Sequence, residues 1–114
     1  MRKYSWMVTM TITPHDFQAE ILKAIAQETR LSILELLRDG ERCVCEIFPE
    51  INYEQSNVSR HLNLMLKAGI LTRHKDGLKI FYAIKHPEVL AIIDLAEALM
   101  KREAGSRHDL LRAI

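Results

Sequence analysis

Long apolar runs are missing from this 114-residue chain: charge interrupts every hydrophobic stretch well short of the ~20 residues needed to cross a bilayer. A membrane-spanning helix is thereby excluded, and no membrane partner is expected. Cysteine is also scarce. The only two, Cys43 and Cys45, lie one residue apart, where a direct disulfide closes a tiny ring and constrains almost no chain. A disulfide scaffold is excluded, and thiols kept free in a reducing, cytoplasmic compartment are expected. The first ten residues carry basic groups but neither a sustained apolar core nor a small-residue cleavage site, so a flexible arm over residues 1–13 is expected instead of a leader. There is no internal repeat, no low-complexity segment and no large excess of charge, the net being +1.

What is present suits one small domain, with 48% hydrophobic and 27% charged residues. A unit of this size leaves apolar helix surface for a second copy to cover, which makes a homodimer the natural assembly. The charge is unevenly placed. Residues 54–85 hold six cations against two anions, a net +4, and the remainder is −3. Positive charge gathered on one segment is the footprint of a nucleic-acid surface.

Thr13-Pro14-His15-Asp16 is a helix start, with a capping threonine, proline at the first helical position and an acid near the positive end of the dipole. A helix is expected to about Ala26, with Phe17, Ile21, Leu22 and Ile25 on one stripe. A second follows through Leu31, Ile33, Leu34 and Leu37 to a stop at Asp39-Gly40, and a third, short one spans about Arg42 to Phe48. Pro49, which has no amide hydrogen and crowds the Cys45 carbonyl, is expected to end or kink it. Asn52-Tyr53-Glu54 supplies a turn. The fourth helix, about Gln55 to Ala68, turns Val58, Leu62, Met65 and Leu66 inward, and Gly69 closes it. The period then becomes extended: Ile70 to Lys75 and Lys79 to Ile84 form a hairpin around Asp76-Gly77. A last helix opens at Pro87 and is expected to end near Gly105.

This order, mainly α with a small β-hairpin, is a winged helix-turn-helix arrangement, in which the second helix of the pair enters the major groove. Gln55, Ser56, Asn57, Ser59, Arg60, His61, Asn63 and Lys67 are the candidates on that helix for base edges and nearby phosphates, and Arg73, Lys75 and Lys79 are the wing's candidates for sequence-blind phosphate contacts. Residues 14–104 form the expected DNA-binding and dimerisation domain, and residues 105–114 a tail. The alternative is a helical module used only for protein contacts.

Gln27-Glu28-Thr29-Arg30-Leu31-Ser32-Ile33-Leu34, Val58-Ser59-Arg60-His61-Leu62, Leu66-Lys67-Ala68-Gly69-Ile70-Leu71 and Phe81-Tyr82 resemble the ArsR/SmtB family of metal- and metalloid-responsive repressors. The likeness spans roughly residues 16 to 100. It implies a homodimer, held mainly by the first and last helices, that binds an inverted-repeat operator in double-stranded DNA and leaves it when an inducer binds. It also implies that DNA binding itself needs no cofactor.

Cys43-Val44-Cys45-Glu46 is similar to the core of that family's arsenic-responsive branch, which implies Cys43 and Cys45 as ligands of trivalent arsenic or antimony. Soft thiolates favour such acceptors over calcium or magnesium. On a regular helix residues two apart point ~200° apart, so both sulfurs reach one ion only where the helix is distorted. Phe48 stands where the branch has a third cysteine, leaving the metalloid's third position to solvent or an external thiol. Cadmium and lead sensors of the family add cysteines from the N-terminal arm, which has none here. His15 and Asp16 are expected in capping or surface roles, and His86, Asp94, Glu97 and His108 lack the spacing of a zinc site on the last helix. A redox switch of the same fold is the rival reading. A thiol enzyme finds no alternating strand-helix pattern and only Arg42 as a cation beside the thiols.

Overall fold

The computed structural model describes the backbone of residues 13–51 and 55–113, and the side chains of 13–51 and 57–108. The elements run α1 (Pro14–Ile25), α2 (Glu28–Leu36), β1 (Arg42–Cys43), α3 (Val44–Glu50), α4 (Gln55–Lys67), β2 (Leu71–Asp76), β3 (Lys79–Ile84) and α5 (Glu88–Ala113). The expected arm, but for its last residue, and the Asn52-Tyr53-Glu54 turn lie outside the described residues.

The start of α1 forms as its residue types dictate. Thr13 Oγ1 accepts from the Asp16 amide at 3.1 Å, and the Asp16 carboxylate accepts from the Thr13 amide at 3.2 Å. These bonds, the Thr13 backbone first, hold the Asp16 carboxyl below its ordinary range. Asp16 is thus a helix cap. Of the expected α1 stripe, Ile25 is buried and Ile21 packs on the core, while Phe17 and Leu22 stay 38% and 50% exposed.

The core is built by α2, α3, α4 and the sheet, with Ile33, Leu34, Leu37, Ile47, Val58, Leu62, Met65 and Leu71 almost fully enclosed. The C-terminus of α4 explains Gly69. The Ile70 amide reaches back to the Met65 carbonyl at 2.9 Å and the Gly69 amide to Leu66 at 3.2 Å, a Schellman arrangement that places Gly69 at φ +80°. Ile70 and Met65, both buried, close it with an apolar contact within one core cluster. Open space surrounds the position of a Gly69 Cβ, so the expected effect of Gly69→Ala is purely conformational: about 1 kcal/mol lost in chemical denaturation, with DNA affinity per folded molecule unchanged.

Three sequence expectations are corrected. The third helix does not begin at Arg42: Arg42 and Cys43 instead form β1, which pairs antiparallel with β3 (Arg42↔Tyr82, Cys43↔Phe81) in a sheet ordered β1-β3-β2. Nor does it end at Phe48, since Pro49 lies inside α3 and only the hydrogen bond to the Cys45 carbonyl is forgone. The wing turn sits one residue later than Asp76-Gly77. Asp76 pairs with Lys79, so Gly77 and Leu78 make the two-residue loop, with Gly77 at φ +65° in its first position. Finally, α5 passes through Gly105 without a break and continues to Ala113. Its first half packs inward through Val89, Ile92 and Ile93, whereas Leu95, Leu99 and Met100 are 60–70% exposed.

Candidate DNA-reading surface and thiol pair

The apolar period of α4 decides which of its polar groups are free. With Val58, Leu62 and Met65 buried, Ser59, Arg60, Asn63 and Lys67 are exposed and Asn57 is half-buried. Gln55 and Ser56 belong to the first turn of α4, and their side chains lie outside the described set. Arg73, Lys75 and Lys79 are all exposed on the wing. They do not share one face: Arg73 pairs with Tyr82 and Lys75 with Ile80, while Lys79 lies opposite Asp76, in the alternate position with His74 and Phe81.

His61 differs from its neighbours. It is half-buried, and its Nδ1 accepts a hydrogen bond from Arg30 Nε at 3.2 Å. Desolvation, then the Arg30 and Arg60 charges, hold it below the ordinary histidine value. Arg30 was legible only as part of a family motif; its partner lies 31 residues away, and no local pattern announces the contact.

The thiols occupy the junction of sheet and helix. Cys43 ends β1 and is the N-cap of α3, 3% exposed; Cys45 lies in the first turn of α3 and is exposed. The Cys45 amide donates to Cys43 Sγ at 3.2 Å, and the Cys43 amide donates to Glu46 Oε1 at 3.1 Å. Because Cys43 precedes the helix, the opposed directions of two residues on one helix do not apply. The Cα atoms are 5.1 Å apart and the sulfurs are joined as a disulfide, contrary to the expectation from spacing that they stay free. Phe48 packs against the core, away from any ligand role. Among the described residues no cluster of three or more His, Cys, Asp or Glu could hold a metal ion. Reduction of this disulfide would supply two thiols as the described donors, one of them reachable from solvent.

Arg42 does not serve the thiols. Its Nε donates to the Leu36 carbonyl at 2.9 Å and its guanidinium lies 3.8 Å from Glu46, tying β1 to the end of α2. Asp94 is likewise committed: Arg38 grips both its oxygens, at 2.7 and 3.2 Å, and that hydrogen bonding holds the Asp94 carboxyl below its usual range. Glu97 pairs with Lys101, and His86 and His108 are exposed. On the wing, His74 stacks on Phe81 and approaches Glu41 at 3.4 Å.

A helix pair with an exposed polar second helix, followed by a cationic hairpin, is the winged helix-turn-helix arrangement. The family model for bacterial regulatory proteins of the arsR family matches residues 27–73. An uncharacterized HTH-type transcriptional regulator of Methanocaldococcus jannaschii is 45% identical over 82 residues, 71% of this chain and 92% of that protein. The arsenical resistance operon repressor of Staphylococcus aureus is 35% identical over 65% of this chain and 67% of its own. In structure, a homodimeric winged helix-turn-helix DNA-binding domain from Mycobacterium bovis superposes with a TM-score of 0.70 at 27% identity, covering 79% of this chain and 83% of that one. This chain belongs to the ArsR family of transcriptional regulators. No described helix is long and apolar enough to cross a membrane.

Proposed function

We propose that the protein is a homodimeric, cytoplasmic repressor that binds an inverted-repeat operator through α4 and the wing. It leaves that DNA when trivalent arsenic or antimony binds Cys43 and Cys45. The observation that carries this reading is the convergence of the two sulfurs where β1 meets α3. A ligand bound there acts on two DNA-facing elements together, the wing through the Cys43↔Phe81 pairing and α4 through the core shared with Ile47. Two thiolates with no third donor beside them among the described residues suit a three-coordinate thiophilic acceptor completed by solvent or an external thiol, and fall short of a four-ligand zinc site. The exposed apolar side chains of α1 and α5, above all Leu22, Leu95, Leu99 and Met100, provide the dimer surface, as the homodimeric M. bovis relative suggests.

The test is fluorescence anisotropy on a duplex selected by the reduced protein from a random library. Separate additions of trivalent arsenic, cadmium, zinc and peroxide follow. The proposal expects release by arsenic at the lowest concentration; indifference to arsenic would contradict it. The joined sulfurs favour one second reading, a redox switch in which peroxide takes two electrons and two protons from the dithiol and becomes water. That reading expects release by peroxide and recovery with reductant, without metalloid.

The wing makes its own expectation. Replacing Arg73, Lys75 and Lys79 together by alanine, which removes three cations from each of the dimer's two wings, is expected to lower the slope of log affinity against log salt by up to about 5 while leaving base preference in place. An unchanged slope would remove the wing from the interface.

A further inference from the structure

Arg30 binds two other helices at once, one of them the DNA-reading helix. It lies in the first turn of α2, where its amide is capped by Gln27 Oε1 at 3.0 Å. Its Nη1 donates to the Lys23 carbonyl at the end of α1 at 2.8 Å. That carbonyl is open because the Gln27 amide, its usual partner, turns to Ile25 at 2.8 Å. Its Nε donates to His61 Nδ1 on α4 at 3.2 Å. One guanidinium thus fixes α4 against both helices behind it.

We infer that Arg30 is a positioning residue for DNA reading, acting through an uncharged His61 to set the rotation of α4 that turns Ser59, Arg60 and Asn63 outward. This stands apart from the question of what the thiols bind. The acceptor role requires Nδ1 to carry a lone pair, so the ring proton is on Nε2. His61 is the residue of α4 flanked by the buried Val58 and Met65 one turn to either side, so its contact is made beside the core stripe, where a small rotation is felt along the whole helix. Arg30 from α2 and Arg60 on α4 are the charges that act on it. Of the other elements packed on α4, α1 offers the Lys23 carbonyl, with the Lys23 side chain exposed, and β2 begins with the buried Leu71. Protonating Nδ1 turns the acceptor into a donor aimed at a donor, and sets two cations against each other.

The sign of the pH effect follows. Because the folded-state pKa of His61 lies below 6.5, the neutral form is kept at neutral pH, and the contact is lost as pH falls through that lowered value. DNA affinity then falls on acidification. A His61 that touched phosphate would do the opposite, gaining affinity as it became positive. His61→Asn separates the two, since Asn Oδ1 stands near the position of Nδ1, accepts from Arg30 and does not titrate.

The experiment measures binding of wild type, Arg30→Gln and His61→Asn to the library-selected duplex at about pH 7.5 and about pH 5.5, at constant ionic strength and well below each melting temperature. Comparing wild type with His61→Asn cancels the titration of the other four histidines. At the higher pH, Arg30→Gln is expected to bind roughly tenfold more weakly than wild type, and His61→Asn, which keeps the acceptor, more tightly than Arg30→Gln. On moving to the lower pH, wild type is expected to lose affinity relative to His61→Asn, by less than the roughly tenfold that a histidine with an unperturbed pKa could give. In the free protein, Arg30→Gln is expected to raise the His61 pKa in an NMR titration. A residue that merely stabilised the fold would change melting temperature without producing that pH profile. Wild type gaining affinity relative to His61→Asn on acidification, or His61→Asn binding weakly at the higher pH, overturns the inference, and both readings hold even if Arg30→Gln folds poorly.

Discussion

Cys43→Ser and Cys45→Ser are each expected to bind operator DNA as wild type does and to remain bound when trivalent arsenic is added. The wild-type complex is expected to weaken by about 5- to 150-fold, the usual range of coupling between two sites. The structure makes the comparison clean. Cys43 caps α3 by accepting from the Cys45 amide, and serine is among the best capping residues, so Cys43→Ser keeps the helix start while removing the sulfur. Cys45 is exposed, and exchanging its sulfur for oxygen leaves no cavity. Neither substitution reaches α4 or the wing cations. Loss of release with intact DNA binding therefore reports loss of the effector's ligands; release that persists in both variants places the effector site elsewhere.

Leu62→Ala is expected to cost about 2–5 kcal/mol of stability. Leu62 is 1% exposed in the middle of α4, and truncating it leaves a void among Val58, Met65 and the residues of α2. A domain of this size has only about 5–15 kcal/mol in total, so the variant falls close to the edge of folding. Leu64→Ala, two residues further on and 38% exposed, is the matching control and is expected to change stability by no more than about 0.5 kcal/mol. Urea unfolding of the pair checks this. Equal losses at both positions would mean that α4 is rotated from the orientation described, and with it the side chains offered to DNA.

The contrast between those two leucines was open to the sequence because helical period is a local property. The caps of α1, the Gly69 terminator and the extended pair of the wing were legible for the same reason: Thr13, Pro14, Gly69 and Gly77 act through neighbours a few residues away. The two-residue β1 was not. It exists because Arg42 and Cys43 find Tyr82 and Phe81 some forty residues later, and nothing in Arg42-Cys43-Val44-Cys45 itself distinguishes a strand end from a helix start. That one misplaced boundary had a chemical consequence. Counted as two helical residues, the cysteines point apart; with Cys43 outside the helix their sulfurs come together where β1 meets α3. The exposed polar face of α4 followed from its period, but the singling out of His61 did not, because Arg30 approaches it from another helix. Asp94 likewise gives no local sign of its partner, Arg38, which lies 56 residues earlier. The turn at Gly77-Leu78 shows the limit within local rules: an Asp-Gly pair marks a hairpin, and cross-strand pairing decides which residue begins the loop.

The exposed apolar side chains of α5 have the same character. Leu95, Leu99 and Met100 lie on a face of α5 that the described residues do not cover, and the helix continues past Gly105. In the proposed dimer a partner helix would cover that face, on the side of α5 away from the Arg38–Asp94 clamp that binds the helix to α2.

The account's central claim is that the thiol pair and the DNA reader are coupled. It is tested most directly by titrating trivalent arsenic into the reduced protein, first free and then saturated with its selected duplex. Linkage requires the two effects to be reciprocal: arsenic must bind the DNA complex more weakly by the same factor by which it weakens DNA binding. The expected result is a matching ratio within about 5- to 150-fold, abolished by Cys43→Ser. Equal arsenic affinity in the free and DNA-bound forms would contradict the account.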